Sequence, residues 1–585
     1  MKMVFKRIFP ARSAIIFVLF LIINHTGSGQ SLTISQGTIL VTTGGTLVLE
    51  GDLKNNGSCL NNNNTVIFSG ITQAISGNTP ASFNNLTVDA GSTTTITTPG
   101  QSLGGILLSD GTFNANGNLT LLSTEIQTAM IDGSGTGEVN GNITMQRYLA
   151  SGFGYKYFSP PFQGSEVSEF SDNMKLNDPF PAFFRYDESR TTSGWVTYID
   201  PAGILNPMEG YAIDFGSSNS PITFDVTGVV NNGPMSATLY NHNNTYSQGF
   251  SLVGNPYPSP VDWDALSGWT RVNIDNALYY FEASTTDEFG GMYVTYIDGV
   301  SSNGLATNLI PSMQGYFVHV TDGTFPVTGS IAVNNDARII DLTQPLTKSD
   351  GDPRPLIRLA AGYKADTLSF DQVVIYFDEK ATGNFDGQLD ALKLMNTDFM
   401  VANFYTVGPD GKKLSISALP VITDTLLRIP LGLSTNLAGK VLFRISTLEG
   451  NLENMEIFLS DELAKSKQDL SDGNTYEVDL PAGQHENRFF LEFKNLDTGI
   501  SDNTTGEDLF RIYSSHGILK LEIDKLTGPE GILMITNLTG QTSLIKKYYN
   551  PGSYEISSGL ESGIYIVTFT SGTKRISKKI FIGNQ

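Results

Sequence analysis

Thr65-Val66-Ile67-Phe68, Asn85-Leu86-Thr87-Val88 and Gly105-Ile106-Leu107-Leu108 are short β-type segments separated by breaks rich in Gly and Asn. Thr38-Ile39-Leu40-Val41 and Thr46-Leu47-Val48-Leu49 precede them in the same style. Asn118-Leu119-Thr120-Leu121 and Gly141-Asn142-Ile143-Thr144-Met145 follow. Strands this short and frequent, split by polar turns, predict coils of a β-solenoid stacking flat sheets over residues 30–145. Asn61 to Asn64 reads as a turn or an Asn ladder. A polysaccharide lyase built on such coils needs acidic and basic groups converging on one face, and these coils are almost uncharged.

Next comes a tandem duplication. Gly154-Tyr155-Lys156-Tyr157-Phe158-Ser159-Pro160-Pro161-Phe162 aligns with Gly249-Phe250-Ser251-Leu252-Val253-Gly254-Asn255-Pro256-Tyr257. Val196-Thr197-Tyr198-Ile199-Asp200 recurs as Val294-Thr295-Tyr296-Ile297-Asp298. Met208-Glu209-Gly210-Tyr211 recurs as Met313-Gln314-Gly315-Tyr316, and Val226-Thr227-Gly228 as Val327-Thr328-Gly329. Blocks repeated in one order mark two copies of one module, residues 146–240 and 241–341.

This region holds Trp195, Trp263 and Trp269 with Tyr186, Tyr279, Tyr280 and Tyr293. Aromatic platforms beside carboxylates suit stacking on sugar rings and hydrogen bonding to hydroxyls. Trp195, Trp263, Asp187, Glu188 and Glu282 are therefore the candidate ligand-binding residues. Clustering of Trp195, Trp263 and the Asp187/Glu188 pair in one cleft is the test, against the alternative that the rings fill β cores. His319, the counterpart of Asp214, alternates with Tyr316, Val318 and Val320 and is expected at the surface.

Residues 342–495 open on a linker, Thr347 to Pro355, and carry strands such as Gln372-Val373-Val374-Ile375-Tyr376-Phe377 and Lys440-Val441-Leu442-Phe443-Arg444-Ile445. Their spacing predicts an Ig-like β-sandwich. Asp378, Glu379, Asp386 and Asp390 offer the hard oxygens that Ca²⁺ takes. They lack the alternation of an EF-hand loop, so a solvated acidic loop is expected and no metal or other cofactor is assigned.

From Phe510 onward the chain ends in another small β-sandwich. Leu519, Leu521 and Ile523 alternate with Lys520 and Glu522, and Tyr565, Val567 and Phe569 with Ile566 and Thr568. Gly540 and Gly563 fall where strands must reverse, which calls for positive φ. The order Phe510-Arg511-Ile512-Tyr513, Asn537-Leu538-Thr539-Gly540-Gln541, Ser562-Gly563-Ile564-Tyr565-Ile566-Val567 and Lys578-Lys579-Ile580 resembles the type A C-terminal sorting domain of the type IX secretion system of Bacteroidetes. The resemblance covers residues 508–585, after a linker at 496–507. It departs from the family at Tyr513-Ser514-Ser515-His516-Gly517, where a Pro-containing turn is usual.

It implies a sorting signal that includes Gly540, Gln541, Gly563, Tyr565, Lys578 and Lys579. It also implies recognition by the type IX machinery, removal of the domain, and surface attachment to lipopolysaccharide or release. Three internal segments are similar to ones found in exported proteins of the same bacteria. They are Phe68-Ser69-Gly70 with Phe83-Asn84-Asn85-Leu86, Gly254-Asn255-Pro256-Tyr257-Pro258-Ser259-Pro260-Val261-Asp262-Trp263, and Phe385-Asp386 with Asp390-Ala391 and Lys393-Leu394. Asp366-Thr367-Leu368 and Asp424-Thr425-Leu426 fit the O-glycosylation tripeptide of such proteins.

The other terminus agrees. Lys2, Lys6, Arg7 and Arg12 precede an apolar run, Ala14 to Ile23, and Gly27-Ser28-Gly29 stands before Gln30. This is a Sec signal peptide, residues 1–29. The run is about half the roughly twenty residues of a membrane span, so no transmembrane anchor is expected. With 60 Gly and only 16% charged residues, an all-β, multidomain chain is expected. A net charge of −22 argues against nucleic acid and anionic membrane surfaces as partners. One cysteine, Cys59, allows no intrachain disulfide and is expected to be a small buried residue.

Catalytic motifs fail. Asp497-Thr498-Gly499 has no second copy to share a proton, and His-Glu-x-x-His, Gly-x-Ser-x-Gly and Cys-x-x-Cys do not occur. After signal cleavage only His242, His319, His485 and His516 remain, scattered over different modules. The expectation is a surface protein working by adhesion or ligand binding and not an enzyme. A glycan-binding or carbohydrate-active protein is the first alternative, since glycosidase carboxylates carry no motif. A structural stalk or surface-layer component is the second.

Overall fold

The computed structural model describes residues 31–582 apart from 178–179, 344–353, 367–369, 422–425, 451, 453–454, 496–509, 516–517, 538–539, 557–559, 561–562 and 573. The expected signal peptide, the linker at 496–507, most of the linker from Thr347 to Pro355, the Asp497 tripeptide, His516 and parts of the Asp366 and Asp424 tripeptides lie outside the described residues. The chain divides into two compact units, residues up to 452 with 457–492, and 453–456 with 493 onward. No helix among the described residues is long and apolar enough to cross a membrane.

The first coils form a parallel β-solenoid. Thr65–Phe68 pairs with Asn85–Val88, which pairs with Ile106–Ser109, so Val66, Leu86 and Leu107 stack in one buried column. Alternation along each strand sends every second side chain inward. Turns close with side-chain amides: buried Gln73 donates to the Leu49 and Gly51 carbonyls at 2.8 and 2.7 Å. Asn63 turns at φ 51°, as the Asn run suggested, and Cys59 is buried in the core. The solenoid ends when Asn142–Leu149 turns its free edge to Ile222–Val230 in antiparallel pairing, with Met145 opposite Val226. That covers an edge that would otherwise template association.

The two copies repeat the same sheet. In the first, the strands run in spatial order Tyr155–Phe158, Tyr211–Asp214, Phe183–Tyr186, Trp195–Thr197. In the second they run Phe250–Gly254, Gly315–His319, Leu278–Ala283, Gly291–Ile297. The copies meet about a pseudo-two-fold axis, because equivalent residues make reciprocal contacts. Phe158 bridges to Gln314, and its equivalent Val253 bridges to Glu209. Ser159 N donates to the Met313 carbonyl at 3.3 Å, and Gly254 N to the Met208 carbonyl at 3.2 Å. Ser159 and Gly254, themselves equivalent, touch at the axis, where a Cβ on Gly254 would collide with the Ser159 side chain.

The third region is one network of eleven strands from Leu356–Tyr363 onward, with Asp371–Phe377 and Lys413–Leu419 parallel within it. It curls over a single core. Phe443, near one end of the strand order, reaches 4.9 Å from Phe489 near the other, and Phe404 lies 5.6 Å from Phe443. The acidic loop is committed to the fold. Asp390 accepts from Asp386 N and Ala418 N at 2.7 and 2.6 Å, and Asp378 from Arg354 at 3.2 Å and Lys380 N at 2.8 Å. Lys393 is buried against Asp371 at 2.6 Å. Among the described residues no group of His, Cys, Asp and Glu could hold a metal ion.

The second unit is a two-sheet sandwich. Three strands (Phe510–Ser515, Ile518–Ile523, Gly552–Ile556) face four (Thr542–Tyr548, Gly531–Asn537, Gly563–Ser571, Lys574–Ile582). Leu519, Leu521, Leu533, Val567 and Phe569 fill the space between. Gly540 does turn with φ 81°, and Gln541 N donates to Asn537 Oδ1 at 2.9 Å. Gly563 is a correction: it opens a strand and is not among the residues with positive φ. Tyr565 is buried, Lys579 is exposed, and Lys578 donates to the Phe510 carbonyl at 3.4 Å, tying the last strand to the first.

Candidate functional site

Strands Tyr155–Phe158, Phe183–Tyr186 and Trp195–Thr197 alternate, so Tyr155, Tyr157, Phe184 and Trp195 leave the sheet on one face. Phe281, Phe289 and Tyr293 of the second copy approach that face, with Thr397 from the third region. Together they enclose a cavity of about 270 Å³, floored by Ala212. Tyr157 stacks on Phe281 at 4.8 Å, and its hydroxyl is 2.7 Å from that of Tyr293. Trp195 packs 5.7 Å from Tyr157 and 5.1 Å from Tyr186.

Across Phe289 the cavity adjoins a second groove of about 440 Å³, which includes Asp172, Lys175, Phe180, Asp214 and Glu288. Burial holds the Asp214 carboxyl above the usual range, although Gly216 N and Lys156 pull it down. Glu288 is raised by burial and by Asp214. Burial, with Asp214 and Glu288, pushes the Tyr155 phenol up to about 12, and burial brings the Lys156 ammonium down to about 8. The walls are aromatic and neutral, and the mouth is acidic.

Of the five residues singled out from sequence, only Trp195 reaches this cavity. Trp263 is fully buried on the other side of the second copy's sheet. Trp195 lies 6.1 Å from Phe317 and Trp263 6.1 Å from Tyr316, and these consecutive strand residues point to opposite faces. The single cleft expected from sequence is therefore corrected: one sheet separates the two tryptophans. Trp263 is instead a core residue, its Nε1 donating to the Asn276 carbonyl at 2.9 Å under the Arg271 guanidinium.

Glu188 is buried and structural. It accepts from His242 N at 3.0 Å and Ser247 Oγ at 3.2 Å, and lies 2.6 Å from His242 Nδ1, clamping one copy to the other. Asp187 caps its own turn through Ser189 N and Oγ, and exposed Glu282 accepts from Asn303 Nδ2 at 3.5 Å. His319 is also corrected. It is 1% exposed, with Nδ1 2.6 Å from Asp275 Oδ2, because the second copy's sheet is covered on both faces.

Residues 54–493 match the family described as Domain of unknown function (DUF8693), and the chain belongs to that family. No curated protein matches. Among solved structures, "Biofilm associated protein - BSP domain" aligns at 10% identity and a TM-score of 0.12, covering 75% of this chain and 92% of that one. A likeness at that score carries no argument.

Proposed function

We propose that this member of the DUF8693 family is exported to the cell surface, or released from it, and works by binding a small ligand in the aromatic cavity without turning it over. The cavity itself carries the binding reading: seven aromatic side chains from both copies surround space that no side chain fills. Apolar concavities with a few polar groups at the rim are where small ligands gain most from leaving water. The route rests on the residue order between Phe510 and Ile582 and on the signal at residues 1–29. A compact terminal sandwich suits a module that is recognised and then removed.

On this reading the chain passes the Sec translocon, crosses the periplasm and is recognised through its terminal sandwich by the type IX machinery. It is then attached to surface lipopolysaccharide or set free. Fractionation of a native host with and without a functional type IX system, with mass spectrometry of the termini, tests it. Surface protein beginning at Gln30 and ending before Asp508 is expected. Protein that stays periplasmic in both strains with Gln585 intact overturns the route.

A further inference from the structure

We infer that the cavity and the acidic groove beside it form one site for a hydrophobic organic cation, its apolar part between Trp195 and Phe281 and its charged head among Asp172, Asp214 and Glu288. The inference rests on the reading of the cavity as the ligand site and names the class of ligand.

The lining decides between this ligand and a sugar. Stacking alone suits either, since both a saccharide ring and an alkyl or aryl group pack on aromatic faces. A saccharide also carries hydroxyls around its ring, and each one taken from water without a partner weakens binding. No carboxylate or amide side chain lines the cavity, and the Tyr157 and Tyr293 hydroxyls are directed at each other. That leaves the Tyr155 hydroxyl, the Trp195 ring nitrogen and the Thr397 hydroxyl, too few for a ring of hydroxyls but no hindrance to an apolar group.

Charge decides the rest. The groove is lined by three carboxylates and one ammonium, Lys175, with Lys156 also acting on Asp214, and its shared wall, Phe289, is half exposed. The Asp214 carboxylate disfavours the ionised form of Glu288. A cation between them relieves that repulsion, while the ring faces of Phe289 and Tyr155 attract it through their quadrupoles. A neutral ligand gains neither, and an anion is repelled.

The test uses the full chain and three probes, benzyltrimethylammonium, benzyl alcohol and methyl β-glucoside, titrated by calorimetry with tryptophan fluorescence in parallel. The expected result is binding of benzyltrimethylammonium about tenfold tighter than the alcohol, the ratio that one cation–π contact near a carboxylate supplies. Asp214→Asn with Glu288→Gln should erase that preference, and Trp195→Ala should weaken both aromatic probes, with unfolding curves checking that each variant folds. Equal binding of alcohol and cation, unaffected by the carboxylate changes, overturns the inference and keeps the cavity as a site. Preference for the glucoside, lost in Trp195→Ala, does the same in favour of a glycan. Binding by none of the probes, or binding indifferent to Trp195→Ala, overturns both the inference and the cavity reading.

Discussion

The two copies share a sheet order but not a fate. In the second copy, Phe250–Gly254 and Gly315–His319 are buried at every position, whereas Tyr155–Phe158 and Trp195–Thr197 of the first are largely half-buried. One face of the second sheet packs on Trp263 and Tyr257, and the other on Leu356, Val374, Tyr376 and Ile416 of the third region. The first sheet seals one face with Phe158, Phe183 and Tyr211 in continuity with the solenoid core. Its other face meets Phe281 and Tyr293 incompletely, and the cavity is what remains. Duplication thus supplied one copy to carry the assembly and freed the other to keep an open aromatic face.

Substitutions in the two copies sharpen this contrast. The largest effect is expected from Trp263→Ala, which empties a fully buried site and should cost about 3–5 kcal/mol in denaturant unfolding. At the axis between the copies, Gly254→Ala should cost about 1–3 kcal/mol by overpacking. Ser159→Gly in the same chain should restore most of that loss, because the side chain in the way is gone. Absence of rescue would deny that these equivalent residues meet.

Trp195→Ala, in the open copy, should cost only about 1–2 kcal/mol, since the ring is half-buried to begin with. A loss as large as that at Trp263 would mean the first copy is as closed as the second.

The smallest effect belongs to Asp214, the equivalent of buried His319. Its folded-state value is raised, so its contribution is fully present below the unfolded value near 3.8 and is lost as pH rises through the folded one. Asp214→Asn should flatten stability against pH in that window and leave the neutral protein more stable by less than about 1 kcal/mol, the site being half exposed and screened. A variant steeper with pH than the parent would contradict the sign.

Legibility from sequence followed the range of the interactions. Leu519, Leu521 and Ile523 announced a half-buried strand because alternation is local, and their burial follows it. The solenoid coils were readable for the same reason. His319 was misread because alternation tells which residues share a face but not whether a second layer covers the other one. Glu188 was taken for a ligand group because its partners, His242 and Ser247, are distant in sequence. Tyr155 and Phe289 were not among the candidate ligand-binding residues, since a cavity wall is assembled from separate elements.

By itself, the sequence determined that this chain is all-β, that its coils repeat and that one module occurs twice, because strand periodicity and turn chemistry act over a few neighbouring residues. Tertiary structure alone decided that Trp195 and Trp263 lie on opposite sides of a sheet, that Ser159 meets Gly254, and that one face of one copy stays open. Those outcomes depend on which layers pack together, and packing joins residues by shape and volume without regard to their distance along the chain.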